Sequence, residues 1–593
     1  MKKYLLFCLM FVFSSVSTLQ SQEETKPPVE PEENPAAETP KPETNPPAST
    51  TANPTASPAQ PEGWGESWLD GFNISGLVRL RPEARSNTDF NRSTDDNPNY
   101  VGQKIQVGID KKITDDILIK IIFQDSRVWG GSPGSKTGLS TANDFSRESV
   151  DVRVAWAEVR NLIGPIDLRA GRQLLKYGDE RLVGALEWSN VGRSFDGILL
   201  KHDGDVFSSH LFGMVLAESD SDSGGNTSGV GSTKSSGLTY TCAPDTGICT
   251  VRAAVPRELD DAYFTGWYNT VRPSIFFQIE LYYFGVYKKW IANTTPSIVG
   301  AQITTQDRSR QRDILHTFGT RLTNRTQKNK ASTPYDWTLE YAVQRGTTGL
   351  MVNAGWDILQ QTVPRADVAG NPVLLANGQP DTIRLYREKQ RYAAWAFSGN
   401  AGFTIADFFR IGLEYSAASG DPNRTDGTVS TFNNLFPTNH NLYGQADLVS
   451  WQNMIGRSAN ASIDMGKFGK IRLAYWEIAK QALQDGWYGT TGALNTGTTT
   501  ESSANARYGS FTDSTGVVSR GSGLLKKHLF REYDITYTLA MGTHLEWGAG
   551  YSHIVAGDSI GDVVNDVYSP QAVRRPYFDP RADFAYLMMT LKF

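Results

Sequence analysis

Charged side chains recur at every second position in several stretches of this sequence. Arg79, Arg81, Glu83 and Arg85 interleave with Ile74, Gly76, Val78 and Leu80. The same alternation sets Lys120, Arg153, Arg169, Arg410 and Arg472 on the polar side of their own stretches, with acids at Asp151, Glu280, Glu340, Glu414, Glu532, Asp534 and Glu546. Cationic groups ringed on facing elements attract carboxylates and phosphates, and rings of Arg or Lys are how anion pores select. Opposite charges on adjacent strands also pair with one another. Each arginine is therefore read both as a solute contact and as a cross-strand partner.

Spacings for bond-breaking chemistry are missing. His544 is the one tempting base on a polar parity, and Ser552 stands eight residues along the same face. At strand rise that is roughly 27 Å, far beyond hydrogen-bond reach. No nucleophile elbow or zinc spacing is present, so no catalytic residue, metal or cofactor is expected. Asp421, Asn423 and Asp426 do not match the regular calcium loop, which needs its glycine at the sixth position. Asp, Pro, Asn and Gly there build a turn.

The elements that carry these charges are strands. Ile105, Val107 and Ile109 alternate with polar neighbours, as do Trp337, Leu339, Tyr341 and Val343, and again Leu545, Trp547, Ala549 and Tyr551. Period two is the strand signal, and strands of about ten residues tilted near 45° span a bilayer. Such alternation also fits a soluble antiparallel sandwich. Aromatic residues near strand ends on the apolar face (Trp156, Tyr283, Tyr341, Trp547) favour the membrane reading, because they form girdles at the lipid–water boundary. The ending Leu587-Met588-Met589-Thr590-Leu591-Lys592-Phe593 resembles the assembly signal of bacterial outer-membrane barrels. The fold class expected is all-β, a transmembrane antiparallel up-and-down barrel of about eighteen strands. Those strands start near 73, 101, 117, 150, 166, 196, 206, 261, 275, 313, 335, 391, 408, 455, 470, 528, 543 and 582. Barrels of 16 to 18 strands leave an aqueous channel. Short turns such as Asp203-Gly204-Asp205 should face the periplasm, and the long insertions 218–258, 346–388, 420–450 and 484–526 should face outward or fold into the mouth. One stretch resists the pattern: Asp151 and Arg153 are in phase, whereas Glu158 and Arg160 fall on the other parity. Either a bulge intervenes or the strand is shorter.

Composition agrees. Aromatics make up 11% of the chain, charged residues only 20%, and Gly numbers 55. The net charge of −5 argues against a nucleic-acid partner. Residues 1–21 read as a signal peptide, with Lys2 and Lys3 ahead of an apolar run too short to span a bilayer. Residues 22–65 form a Pro/Glu-rich tract that cannot bury enough apolar surface to fold. It reads as a disordered periplasmic spacer, with a docking tail for a periplasmic partner as a second reading. Residues 66–593 are assigned to the barrel. Cys242 and Cys249, in a Ser/Gly-rich stretch, read as a local disulfide in an oxidising compartment.

Two stretches carry a family resemblance. One runs Gly171-Arg172-Gln173-Leu174-Leu175-Lys176-Tyr177-Gly178-Asp179-Glu180-Arg181 to Glu187-Trp188-Ser189-Asn190, followed by Val191-Gly192-Arg193-Ser194-Phe195-Asp196-Gly197. The other runs Ala418-Ser419-Gly420-Asp421-Pro422-Asn423-Arg424-Thr425-Asp426-Gly427, then Phe432 to His440 and Trp451-Gln452-Asn453. Both resemble the alginate export family of bacterial outer-membrane porins. The resemblance implies an eighteen-stranded barrel in the outer membrane with an arginine-rich constriction, partly closed by loops, passing an anionic uronate polymer. It puts forward Arg172, Asp179, Arg181, Glu187, Arg193 and Asp196 as constriction residues. The glycines packed among them suit a loop folded into the lumen. An anionic polysaccharide or smaller anion is thus the expected cargo and the lipid bilayer the expected surround. A non-selective porin and an adhesin using the long loops are the competing functions.

Overall fold

The computed structural model describes residues 71–92, 98–129, 150–217, 262–288, 312–325, 333–353, 387–422, 427–440, 442–483, 485–490, 527–561 and 578–593, with short pieces at 239–242, 249–252, 298–299, 302–303, 361–364, 379, 382–385, 510–512 and 518–520. The expected signal peptide and Pro/Glu tract lie outside these residues, as do Asn423 and Asp426.

Eighteen long strands form one antiparallel sheet among the described residues: β1 (Phe72–Ser86), β2 (Asn99–Lys112), β3 (Ile117–Val128), β4 (Asp151–Ile163), β5 (Ile166–Gln173), β6 (Phe195–Asp203), β7 (Phe207–Ala217), β8 (Ala262–Ser274), β9 (Phe277–Lys288), β10 (Asp313–Thr323), β11 (Tyr335–Asn353), β12 (Arg387–Ile405), β13 (Phe409–Ala418), β14 (Met454–Asp464), β15 (Lys470–Lys480), β16 (His528–Met541), β17 (Leu545–Ala556) and β18 (Arg581–Lys592). Each start lies within four residues of its expected position. Neighbours in sequence pair with each other, and β18 returns to β1 with Val78 opposite Leu591 and Ser86 opposite Asp583. The sheet is a closed barrel. Closure leaves no edge strand, which is what a sheet in hydrocarbon requires.

Connections sort by length onto the two ends. One end carries turns of a few residues, such as Gly164-Pro165 and Gly542–His544. Gly542 takes φ +67° there, a left-handed conformation that glycine adopts without steric cost. The other end carries long connections, including those after β5 and β13. Residues 346–353, expected in a loop, instead continue β11: Thr347 pairs with Arg391, and a register shift precedes Met351 opposite Lys389. The Gly/Thr composition there imitates a turn, but its backbone groups stay in the ladder. At the long-loop end, a two-strand ladder sets Cys242 opposite Cys249.

Aliphatic and aromatic side chains cover the outside. Ile74, Leu413 and Leu473 are exposed at 68%, 67% and 51%, and lipid is the solvent such a belt requires. The inside departs from expectation. Phe195, Leu199, Phe212, Met214, Phe264, Phe284 and Leu315 point inward from β6 to β10 and pack, fully buried, with Leu182, Val183 and Phe432 of the long connections. On this wall both faces of the sheet are apolar. The wholly hydrophilic inner face expected from alternation is corrected here, because two loops need a dry surface to dock on. A second correction concerns Trp156. It pairs with Lys120 on the inner parity and lies 4.2 Å under the Arg169 guanidinium, so it is absent from the outer girdle.

The seam has a close approach that only glycine permits. The Phe593 ring lies where a Cβ on Gly76 would stand, 2.1 Å from its Cζ, while the two backbones exchange hydrogen bonds of 2.7 and 3.1 Å. Gly76→Val is expected to overpack this joint by about 1–3 kcal/mol. It should reduce the fraction of heat-modifiable folded barrel on an unboiled gel, whereas Gly213→Ala, with open space around its Cβ position, should not.

Candidate functional site

The interior is narrowed by the connection after β5 (174–194) and by the described parts of the connection after β13 (419–422, 427–440 and 442–453). These two segments are joined by backbone hydrogen bonds: Phe436 donates to the Leu182 carbonyl at 2.8 Å, Gly184 to Phe436 at 2.8 Å, and Thr438 to Glu180 at 2.9 Å. Trp188 of the first lies flat on His440 of the second, ring centroids 3.6 Å apart. Val183 and Phe436 form a single parallel bridge between them. Gly192, at φ +75°, passes the Arg153 guanidinium so closely that a Cβ would stand 2.5 Å from Nη2.

Charged residues of the barrel wall hold this plug in place. Arg79 donates to the carbonyls of Glu187 (2.7 Å), Trp188 (3.0 Å) and Ser189 (3.0 Å) and to Asn190 Oδ1 (3.0 Å). Arg81 pairs with Glu83 at 2.6 Å and stacks over Trp188 at 3.8 Å. Arg85 donates to the Ala446 carbonyl at 2.9 Å. Arg153 donates to the Ala185 carbonyl and to Ser194 Oγ, both at 2.8 Å. It occupies a bulge: Ile122 pairs with Val154 but Phe123 with Val152, leaving Arg153 between rungs. That extra residue resolves the parity conflict, since Arg153 and Glu158 now both face inward.

The plug's own charges reach back to the wall. Arg181, with 2% of its side chain exposed, pairs with Glu414 at 2.6 Å. Asp179 pairs with Arg321 at 2.6 Å, and Arg321 also holds Glu280 at 2.8 Å. Arg193 donates to the carbonyls of Gly184 (3.2 Å) and Pro437 (2.9 Å). Glu187 stands among Lys176 (3.4 Å), Arg153 (3.5 Å) and Lys104 (4.0 Å), with its own side chain 44% exposed. Burial pushes its carboxyl up, but Arg153, Lys176 and Lys104 together leave it below the usual carboxylate range. Asp179 is lowered likewise, Arg321 and Arg181 outweighing burial.

Other expected residues lie elsewhere on the inner face. Arg169 donates to Glu158 at 2.8 Å, Arg410 to Asp336 at 2.7 Å, and Lys120 sits 3.6 Å from Asp110 near the short-turn end. Arg472 pairs in register with Ser462, which is buried on the inner parity. Arg172 and Asp196 are corrected. They bond each other at 3.1 Å, but they share the parity of Ala170 and of Ile198, which is 54% exposed, and so face outward. The resemblance had drawn the whole stretch as one loop, whereas its two ends are strand residues governed by alternation. The sequence did not put forward Lys104, Glu158, Lys201 or Arg321 as site residues. Lys201 lies 3.2 Å from Glu158. Lys201 and Arg321 sit on strands with mixed residues on both parities, so the period-two rule could not rank their faces, whereas Lys104 lies on a cleanly alternating strand and Glu158 past the bulge. His544 lies in the turn after β16, its ring 2.8 Å from the Lys592 carbonyl, and Ser552 donates to Asp534 at 2.6 Å.

The family model for alginate export matches residues 71–214 and 250–572. The chain belongs to the alginate export family. No curated protein matches it. Among solved structures, Pseudomonas aeruginosa OpdO is similar at TM-score 0.45 and 11% identity, covering 88% of this chain and 98% of its own. The outer membrane protein OprD from Pseudomonas aeruginosa is similar at 0.44 and 9%, with 88% and 95% covered. Acinetobacter baumannii OccAB1 is similar at 0.44 and 12%, with 88% and 97% covered. Family membership and the closed eighteen-stranded barrel make this an outer-membrane channel of porin type.

Two outcomes follow for the plug. Arg181→Met leaves Glu414 buried without its partner, which typically costs about 3–5 kcal/mol. Thermal unfolding should come earlier, and single-channel conductance should rise as the two loops loosen. For Glu187 and Asp179 the folded-state values are lowered, so their stabilising contribution is complete above the unfolded carboxylate value of about 4 and is lost as pH falls below it. The loosening of the plug that these two groups cause should therefore show in conductance as pH falls below about 4.

Proposed function

We propose that the channel passes an anionic solute, either a uronate-like polysaccharide such as alginate or a smaller acid, by passive diffusion along an arginine-lined lumen. One observation carries this reading. Four bases of the wall and plug stay partly open to the interior: Arg169, Arg410, Arg325 and Lys176 keep 21%, 26%, 39% and 44% of their side chains exposed, while Glu83, Glu158 and Glu280 are at most 4% exposed and Asp336 keeps 22%. A solute moving through water in the lumen meets the uncovered charge, and partly exposed guanidinium groups bind carboxylates bidentately. Glu187 tempers the field where it stands.

This reading assigns no catalytic step to the chain. In this reading Arg79, Arg81 and Arg181, put forward as solute contacts, act by holding the plug, since the bonds they make go to carbonyls, an amide oxygen and carboxylates of the plug and wall. The uncovered bases do the selecting.

Planar-bilayer recordings under reversed salt gradients test the proposal. The reversal potential should show anion preference, and Lys176→Gln with Arg410→Gln should move it toward zero. Oligouronate added to one side should block current at millimolar concentration. A symmetric reversal potential with no block would assign the chain to the non-selective porins instead.

A further inference from the structure

The outer face of the barrel carries charge where a lipid belt should be apolar. Arg457 of β14, Glu477 of β15, Arg531 of β16, Val555 of β17 and Arg581 of β18 stand directly opposite one another in register, one straight rung across five strands. All occupy the outward parity. The side chains of Arg457 and Arg531 are 67% and 50% exposed, and they flank Glu477 at 3.4 and 3.9 Å. Three guanidinium groups thus share a rung with one carboxylate, leaving an excess of positive charge.

The rung lies at the long-loop end: Arg457 is three residues from the start of β14 and Glu477 three from the end of β15. Moving toward the short-turn end, the next outward residues are Ala459, Tyr475 and Tyr533, then Ala461, Leu473 and Ile535. Charge, aromatic ring and aliphatic chain follow one another as they do from headgroup to hydrocarbon. Arg on a lipid face costs about 0–1 kcal/mol near the boundary, against 2–4 at the midplane, so this level tolerates it.

Directly below, the outer surface is hollowed. A groove of about 940 Å³ runs over β12 to β16, floored by Ala401, Ala459 and Ala461 and walled by Leu413, Leu473 and Tyr533. Small side chains between large ones make a furrow along the strands, shaped for hydrocarbon rather than for a polar solute.

We propose that this face binds a phosphorylated, acylated glycolipid of the outer leaflet, its phosphate on Arg457 and Arg531 and an acyl chain in the groove below. Guanidinium forks match phosphate oxygens in pairs, and the groove supplies the apolar half that a free phosphate would leave empty. Glu477 spaces the two arginines and keeps them extended. The site rests on the outer-membrane location and is independent of the cargo.

Native mass spectrometry of the full chain in neutral detergent, with bis-phosphorylated hexa-acyl lipid A as the probe, tests it. The chain should retain the lipid. Arg457→Gln with Arg531→Gln should lower retention roughly tenfold, the loss expected when charge-assisted bonds go. The dephosphorylated lipid with the same acyl chains should be retained as poorly by the unaltered chain. Ala459→Phe with Ala461→Phe should lower retention by filling the groove, and heat-modifiable mobility on a gel checks that each variant folds. Should the groove variant not fold, the arginine pair decides alone. Equal retention of both lipids, unchanged retention in the arginine variant, displacement by millimolar inorganic phosphate, or a dimer that the arginine variant dissolves would each overturn the proposal.

Discussion

A peptide backbone crossing hydrocarbon has no water to bond to, so its amides must find one another. That constraint forces the closed ladder from β1 round to β18, and nearly every other feature descends from it. A closed ladder fixes which side chains face lipid. It also fixes the circumference, and eighteen strands enclose more room than wall side chains alone can fill. The two inward loops occupy the surplus, and their docking decides what the interior is made of.

Docking explains what several arginines of the inner wall do. An irregular loop inside a barrel brings carbonyl groups with no strand partner, and leaving such groups buried and unbonded costs energy. Arg79 donates to three such carbonyls, Arg153 to one, and Arg193, from within the plug, to two. Long, planar and always charged, arginine reaches across the gap where a hydroxyl or amide would fall short.

The sequence was most legible where one physical rule acted alone. Ile74, Leu413 and Leu473 meet only lipid, and alternation placed their strands to within a few residues. It was least legible where two demands met at one position. Phe212 and Met214 are apolar yet face inward, because a loop lands on them. Arg172 and Asp196 look like loop residues among glycines, yet they end and begin strands. Trp156 and Glu158 change sides with Arg153 because of one unpaired residue, and the sequence showed the conflict without saying which repair nature had used. Arg321 links plug and wall through Asp179, but its strand offers no clean alternation to point inward.

The bulge at Arg153 lies near the loop end of β4, followed in sequence by a regular ladder and preceded by a long connection. Length gained or lost there can be absorbed by that connection without shifting any strand beyond it. A one-residue insertion or deletion, ruinous in the middle of most sheets, would here merely exchange which side chain looks into the lumen. The barrel therefore carries a built-in point at which heredity can retune the conduit's lining while leaving its walls standing.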